Sequence, residues 1–368
     1  MIITAPFDTA DEIEKLADAG AGELYCGLYH NKWKKFGIYP NLRHMEYGNL
    51  ASFKELKKAV EIARKRDIPV YLCVNEFLPE GAENILIDDI SEAAKLGVSG
   101  FIAADITLVP VIKDAAPSAK IIMSSLNPYF NRMTLALFKQ SGVDRVVLPY
   151  NQFTLKEILR FQESASETGI ETEMFISPSQ CRNINGFCLN HKYGVENIYT
   201  GKYRYAYRFA LSVLRRGYSI LGNSIKRKIG KKIWTSKLFP SISCREKCEV
   251  NVMKKDASGY SPSDDTGVFA YSEYYSRPYC ILCSIYHLVQ AGITAGKIEG
   301  RGRTLEYKLS RVRSSRMYIE NIAGGKIIQK NFEEKGRDIF MSVFGRDCKA
   351  VNCYHKLMSG DDAVTIEV

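Results

Sequence analysis

Eight of the ten cysteines occur as four closely spaced pairs in the second half of the chain. The pairs are Cys181/Cys188, Cys244/Cys248, Cys280/Cys283 and Cys348/Cys353. Two thiolates on a short loop can converge on one metal ion or cluster. The chain has five histidines and only His355 closely follows a pair, which favours all-thiolate coordination of an iron–sulfur cluster or a structural zinc. Eight thiols would be enough for two four-ligand sites.

The alternative for any of these cysteines is a free, buried side chain, because an unliganded cysteine behaves as a small hydrophobe. This interpretation suits the two unpaired cysteines best, since Cys26 and Cys73 both lie within apolar runs. We therefore expect at least one thiolate site from the paired cysteines and none from Cys26 and Cys73.

A second group of candidate residues, Glu299, Arg301 and Arg303, alternates at the end of an apolar run. In a strand, alternation places such side chains on one face. Guanidinium groups bind carboxylates or phosphates through two parallel hydrogen bonds. We predict that the two arginines bind an anionic substrate and that Glu299 orients them; the alternative is a solvated ion-pair cluster. Weaker candidates of the same kind follow three earlier strands: Asn75, Glu76, Asp105, Ser124 and Ser125.

A strongly basic segment spans residues 197–245, with twelve Lys or Arg and no Asp or Glu. The formal net charge of the whole chain is +10, so this segment accounts for all of the basicity. Aromatic residues alternate with the cations, as in the run from Lys202 to Phe209. Cations neutralise phosphates while rings stack on unpaired bases, which predicts RNA binding. The alternatives are an anionic membrane contact through an amphipathic helix at residues 207–221, or a solvated face that contacts a protein.

The elements that would position these residues alternate between short apolar strands and amphipathic helices. The predicted strands are Ile2–Ala5, Glu23–Cys26, Val70–Val74, Gly100–Ala103, Lys120–Met123, Arg145–Leu148 and Glu173–Ile176, with an eighth at residues 296–300. Capping boxes at Thr9/Glu12, Ser52/Glu55 and Thr154/Glu157 begin three helices. This alternation without a glycine-rich dinucleotide loop predicts an α/β fold, a TIM-like (βα) barrel, with Lys297–Glu299 pairing beside Ile2–Ala5.

The strand–helix pattern breaks after Ile176, which indicates an inserted cysteine-rich, basic module. We predict a barrel from residues 1–176 and 281–305, an insertion at 177–280 and a C-terminal extension at 306–368. The first residues lack the features of a signal peptide, and no apolar run approaches ~18 residues. We therefore expect a cytoplasmic protein, where thiols stay reduced and cysteines serve metal or redox chemistry more often than disulfides.

Several of these residues together resemble the motifs of peptidase family U-32. The matching stretches are Tyr279–Ile281, Leu288–Ile293, Lys297–Arg301, Gly20–Gly27 and the Cys181/Cys188 pair, and the resemblance extends over about residues 1–305. The motif Lys297–Arg301 and the spacing of the cysteines are its most specific features. One departure is that Ser177–Cys181 lacks a histidine found in the family, and another is that the basic segment is longer than the usual link between cysteine pairs.

The resemblance implies a function and a cofactor. Some members of the family take part in the hydroxylation of RNA or ubiquinone and hold a 4Fe–4S cluster, and in some RNA-modifying members the hydroxyl oxygen is linked to prephenate. Carried over by position, the cluster ligands are Cys181, Cys188, Cys280 and either Cys244 or Cys248. Cys283, Cys348 and Cys353 remain for a second site with zinc or iron–sulfur.

We therefore expect iron–sulfur-dependent hydroxylation, or a related redox modification, of RNA or a small aromatic substrate, with an anionic donor held by the arginines. The alternatives are a peptidase of the collagenase-like type and a non-catalytic, cluster-bearing protein that binds RNA or a partner. Residue patterns give proteolysis little support. The chain has neither the His-Glu-x-x-His sequence of zinc peptidases nor the Gly-x-Ser-x-Gly sequence of serine hydrolases.

Overall fold

A closed barrel of eight parallel strands forms the main part of the molecule, as predicted. The computed structural model describes residues 1–36, 40–41, 48–75, 81–127, 129, 131–149, 153–177, 253–256, 259–262, 280–348, 353 and 355. The strands are β1 (Ile2–Pro6), β2 (Glu23–Gly27), β3 (Val70–Val74), β4 (Gly100–Ala103), β5 (Lys120–Met123), β6 (Arg145–Val147), β7 (Glu171–Ser177), β8 (Met253–Asp256), β9 (Gly259–Pro262) and β10 (Ala295–Ile298). The barrel contains β1 to β7 and β10, and β8 pairs with β9 in a separate antiparallel hairpin.

Closure of the barrel occurs between the first strand and the last. Thr4 of β1 aligns with Glu23 of β2 on one side and with Lys297 of β10 on the other. The predicted pairing beside Ile2–Ala5 is therefore confirmed for Lys297, but β10 ends at Ile298 and Glu299 lies beyond it. The pairing of β10 with β7 shifts register between Lys297 and Ile298. This irregularity marks the end of regular strand geometry just before the candidate arginines.

The helices cover the outside of the barrel because each has one apolar face. They are α1 (Ile13–Ala19), α2 (Asn31–Phe36), α3 (Phe53–Arg64), α4 (Glu83–Lys95), α5 (Leu108–Ala115), α6 (Arg132–Gln140), α7 (Leu155–Thr168), α8 (Leu282–Gln290), α9 (Leu305–Ala323) and α10 (Phe332–Phe344). In α3 the buried residues Leu56, Val60 and Ala63 recur at helical spacing, as predicted. The main apolar core thus lies between the barrel and its helices.

The three predicted capping boxes form to different extents. Thr154 and Glu157 make the complete reciprocal box at the start of α7. The Ser52 hydroxyl accepts a hydrogen bond from the Glu55 amide, but the Glu55 carboxylate accepts from the amide of Ala51. The hydroxyl of Thr9 makes no capping hydrogen bond, so the first prediction is wrong. There Glu12 accepts from the amide of Asp8 at 2.9 Å, because a 3₁₀ turn precedes α1 and moves the helix start.

Two further helices follow the barrel strands, in the region predicted as a C-terminal extension. The helix α9 packs against α1, α8 and β1, and α10 packs against α9 and α8. The chain divides into two units, and the hairpin of β8 and β9 lies in the second one. Within the described residues, none of the helices is long and apolar enough to cross a membrane.

The interior of the barrel holds a layer of paired charges below a small apolar cluster. Arg145 is almost fully buried and donates two hydrogen bonds to the Glu23 carboxylate, at 2.6 and 2.9 Å. Lys297 pairs with Glu173 at 3.0 Å and lies over the ring of Tyr25. The apolar cluster contains Tyr25, Tyr71, Cys73, Ile102, Ile122 and Val147. The two carboxylates and two cations balance, as buried charges require.

Candidate active site

The carboxyl ends of the strands form the mouth of the barrel, where active sites of (βα)8 enzymes lie. Arg301 follows β10 there and is only 7% exposed. Its Nη1 donates a hydrogen bond to the side-chain oxygen of Asn41 at 2.8 Å. Within the described residues, no carboxylate forms an ion pair with Arg301. A buried guanidinium that is held by a neutral amide retains donors for an anionic ligand.

The packing around Arg301 depends on a glycine at the end of β2. A Cβ atom added to Gly27 would collide with the side chains of Asn49 and Arg301 and approach that of Asn41 at 2.9 Å. The absence of a side chain at Gly27 therefore leaves the space that Arg301 and the two asparagines occupy. Asn41 and Asn49 were not among the predicted site residues. Their only sequence signal is that they follow β2, at the same end of the sheet.

The three residues predicted to share one strand face do not do so, because β10 ends at Ile298. Gly302 has a φ of 78°, and the amide of Arg303 donates to the carbonyl of Gly300 at 2.9 Å, closing a turn. The Arg303 guanidinium lies 5.5 Å from the centre of the Tyr307 ring, at the start of α9. Glu299 is half-buried. Arg301 is thus the one member of this set that is buried at the mouth.

An aspartate at the end of β1 fixes the turn that carries Arg301. The carboxylate of Asp8 accepts two hydrogen bonds from the amide of Gly302, at 2.9 and 2.8 Å. Lys308 of α9, which is fully buried, pairs with Asp8 at 2.8 Å and with Glu12 at 2.7 Å. Asp8 therefore links the first strand, the turn after the last strand and the first turn of α9. Sequence reasoning did not identify it.

The weaker candidates have different roles. Asn75, Ser124 and Ser125 are buried at the ends of β3 and β5, and Asn75 donates to the Ser124 hydroxyl at 3.4 Å. Asp105 accepts from the amide and hydroxyl of Thr107 at 2.9 and 2.7 Å, which makes it a local turn residue. Glu76 lies outside the described residues.

One more polar group at the mouth was not predicted. The hydroxyl of Ser177, at the end of β7, is buried and has no hydrogen-bond partner within the described residues. With Asn75, Ser124 and Arg301 it brings to four the buried polar side chains at this end of the barrel. Uncharged hydroxyl and amide groups beside a cation are typical of sites for small polar anions.

The charged layer deeper in the barrel has settled ionisation states. Burial alone would raise the pKa of Glu23, but the hydrogen bonds and positive charge of Arg145 outweigh it and hold the pKa below its ordinary value of 4.5. Burial and the negative charge of Glu23 raise the pKa of Tyr71. Glu23 is therefore ionised and Tyr71 neutral at pH 7, and neither is poised to exchange a proton.

The cysteines predicted as cluster ligands are mostly beyond reach of a structural test. Cys181, Cys188, Cys244 and Cys248 lie outside the described residues. Cys280 is buried at the start of α8 and forms a parallel backbone bridge with Cys353. Cys283 and Cys353 are buried as well, and Cys348 is partly buried. Cys26 and Cys73 are buried in β2 and β3, as predicted.

A cleft of about 570 Å³ lies on the outside of the barrel, between α7, α8 and α10. It is lined by Leu155, Lys156, Leu159, Arg160, Glu163, His287, Gln329, Phe332, Glu333 and His355. The rings of His287 and His355 stack with their centres 6.1 Å apart. Burial and the adjacent His355 lower the pKa of His287 from its ordinary value of 6.5, so the neutral ring prevails at pH 7.

Comparison with known proteins identifies relatives whose names refer to tRNA. The chain is 24% identical over 191 residues to the tRNA hydroxylation protein P1 of Bacillus subtilis, covering 51% of this chain and 42% of that protein. It is 22% identical over 263 residues to the tRNA hydroxylation protein P of Escherichia coli, covering 70% and 56% respectively. The matched region is thus about half the length of these relatives.

Among solved structures, the U32 peptidase Mk0906 matches 55% of this chain and 83% of its own, at 13% identity and a TM-score of 0.39. The model of peptidase family U32 matches residues 8–358. That match includes every barrel strand after β1 and the turn that carries Arg301. The chain therefore belongs to peptidase family U32.

Proposed function

We propose that the protein takes part in the hydroxylation of tRNA, using an iron–sulfur cluster and a small anionic oxygen donor bound at the barrel mouth. The observation that carries the proposal is Arg301, a buried guanidinium with a neutral amide partner at the position where barrel enzymes bind substrate. The names of the two bacterial relatives support tRNA as the acceptor.

The donor is a hydroxylated molecule with at least one carboxylate. In the overall exchange the donor loses its hydroxyl and gains hydrogen, while a C–H bond of the tRNA base becomes C–OH. The donor is reduced as the base is oxidised, so atoms and electrons balance without a further oxidant. Arg301 would bind the carboxylate, and the hydroxyl of Ser177 and the amide of Asn75 would orient the donor through hydrogen bonds.

The cluster would be held by Cys181 and Cys188, with the remaining ligands from Cys244, Cys248 and Cys280. Of these five, Cys280 can be tested against the described structure, and its surroundings suit a thiolate ligand. It is 6% exposed and lies near the positive charge of Arg311, which favours a bound anion. When bound, a cluster of this kind supplies one-electron redox chemistry or a Lewis-acidic iron.

The acceptor would bind through the basic segment at 197–245, which lies outside the described residues. Twelve cations within it would neutralise phosphates and release counterions, so RNA affinity should fall with added salt. Replacing Lys226, Arg227 and Lys228 with Ser should weaken binding of every RNA sequence and flatten the salt dependence. Unchanged RNA binding, with loss of binding to anionic vesicles, would instead identify a membrane contact.

The experiment that tests the proposed function is nucleoside mass spectrometry of tRNA from cells that depend on this protein for hydroxylation. The parent protein should add one oxygen atom to a tRNA nucleoside, and Arg301→Ala should abolish that product. The matched control is Arg66→Ala, which removes an exposed arginine paired with Asp18, distant from the mouth in the fold. Wild-type levels of product with Arg301→Ala, or proteolysis without hydroxylation, would contradict the proposal.

A further inference from the structure

Four cysteines from three separate parts of the chain meet beside α8, in a group that we call the C-terminal thiol group: Cys280, Cys283, Cys348 and Cys353. Cys280 and Cys353 are neighbours through their backbone bridge. Cys348 shares side-chain hydrogen bonds with both of them. Cys283 is one helical turn after Cys280, and its thiol donates to the carbonyl of Glu333 at 3.9 Å.

The thiol group is enclosed by α10. A Cβ atom added to Gly336 of α10 would lie 2.6 Å from the Cys283 sulfur, so this helix approaches closely only because residue 336 is glycine. Three of the four cysteines are less than a tenth exposed. A buried group of sulfur atoms that is protected by close helix packing matches the environment of a structural metal site.

Arg311 of α9 supplies an independent observation. It is 6% exposed, and its Nε has no hydrogen-bond partner within the described residues. Its guanidinium is flanked by the rings of Phe344, at 4.7 Å, and Tyr307, at 5.4 Å. Within the described part of the chain, no carboxylate forms an ion pair with it. A buried cation without an anion is costly, and here the nearest group that can become anionic is the thiol of Cys280.

We propose that Cys280, Cys283, Cys348 and Cys353 bind a single thiophilic divalent ion, of the zinc class, with Arg311 as the buried counter-charge. Four thiolates and a divalent ion carry a net charge of −2, which a neighbouring guanidinium partly neutralises. The sulfur atoms of a tetrahedral zinc site are about 3.8 Å apart, given a Zn–S distance of about 2.3 Å. Thiols within hydrogen-bonding distance fit that spacing better than the wider spacing that a four-iron cluster imposes.

Some rearrangement must accompany binding. Within the described residues, no three His, Cys, Asp or Glu side chains are arranged closely enough to hold an ion as they stand. The sulfur of Cys283 is directed toward the Glu333 carbonyl, so its side chain must rotate toward the other three. Burial and the nearby Cys353 and Cys348 raise the pKa of Cys283 to about 12, and a bound cation would reverse that effect.

The assignment has a consequence for the proposed cluster, although it stands whether or not the protein hydroxylates tRNA. If Cys280 binds the single ion, both Cys244 and Cys248 are required to complete a cluster with Cys181 and Cys188. The eight paired cysteines then form two complete sites of four. Iron should follow the first four residues and the second ion the C-terminal thiol group.

The test uses the full-length protein, purified without oxygen, with zinc and iron measured by mass spectrometry and Co²⁺ as the optical probe. The parent should hold about one zinc per chain, and added Co²⁺ should give the d–d absorption of a tetrahedral tetrathiolate complex. Cys348→Ser and Cys353→Ser should lose zinc and the cobalt bands but keep iron. Cys181→Ser should lose iron but keep zinc. Cys73→Ser, at a buried cysteine in the barrel, is the control and should lose neither.

Loss of iron but not zinc in Cys348→Ser would overturn the assignment, because the thiol group would then serve the cluster. Cobalt bands that survive in both Cys348→Ser and Cys353→Ser would also overturn it. Arg311→Met separates a ligand-related role from a purely structural one. It should weaken Co²⁺ binding about tenfold, as outer-shell substitutions do, yet raise the melting temperature of the metal-free protein. A lower melting temperature of the metal-free variant would contradict the counter-charge role.

Discussion

Buried cations occur in two different settings in this molecule, and the difference separates scaffold from site. Inside the barrel, Arg145 and Lys297 each have carboxylate partners, Glu23 and Glu173, and the layer is electrically complete. At the mouth and beside α8, Arg301 and Arg311 are as deeply buried but have no carboxylate partner within the described residues. The paired cations hold strands together, whereas the unpaired ones are positioned for an anion that arrives from outside.

The largest expected effect comes from breaking the paired set. Arg145→Met should lower the free energy of unfolding by about 3–5 kcal/mol, because Glu23 and Glu173 would remain buried without their main partner. Urea unfolding monitored by circular dichroism at pH 7 measures this loss. Arg66→Met, which removes an exposed partner of Asp18, should change the same quantity by less than about 1 kcal/mol. Equal effects of the two substitutions would show that the interior layer is not structural.

The unpaired set should respond differently. Arg301→Met should leave the urea midpoint unchanged or higher, since it removes a buried charge that has no carboxylate partner. The same variant should weaken binding of the anionic donor by about 2 kcal/mol or more, roughly 30-fold or greater. Calorimetric titration with small dicarboxylates measures the second effect. A strong loss of stability would place Arg301 with the scaffold cations instead.

The pH dependence of stability should report the paired layer from its acidic side. The pKa of Glu23 is depressed on folding, so its contribution is fully present above the ordinary value of 4.5. It is lost as the pH falls through the lower pKa of the folded state. The urea midpoint of the parent should therefore fall steeply below about pH 4.5. Glu23→Gln should be less stable at pH 7 and show a shallower fall; an identical slope would mean that other carboxyls dominate.

The smallest expected effect concerns Arg303, which is half-exposed and stacks on Tyr307. Arg303→Ala should cost about 0.5–1 kcal/mol, the value of a cation–π contact near the surface. The product of tRNA hydroxylation should persist in this variant, in contrast to Arg301→Ala. Loss of the product in Arg303→Ala would show that both arginines contact the donor.

The barrel itself was largely predictable because its strands are short apolar runs between turn residues. All seven strands predicted up to residue 177 are present, and β3, β4 and β5 have the predicted bounds. The main error was at β7, which begins at Glu171 and not at Glu173. Glu171 and Thr172 are polar, and their strand geometry comes from pairing with Arg145 and Val146 on β6. Such pairing across the sheet is not visible in local sequence.

The candidate site was less predictable. The motif at the end of the last strand correctly singled out Arg301, but the turn at Gly302 prevents Glu299 and Arg303 from sharing its face. Arg311 had no recognisable signal, since it is one of several arginines along α9. Its meaning depends on Cys280 and Phe344, which are distant in sequence and close only once α9 and α10 have packed.

Closure of the barrel between β1 and β10 also has a consequence for synthesis. Ile2 pairs with Ala295, so the first strand emerges from the ribosome about 290 residues before its last partner. At ~5–20 residues per second this interval is roughly 15–60 s. Throughout it, one edge of β1 and one edge of β7 lack their neighbour and can pair with strands of other chains. The risk of aggregation is thus governed by the rate of translation as well as by the stability of the finished barrel.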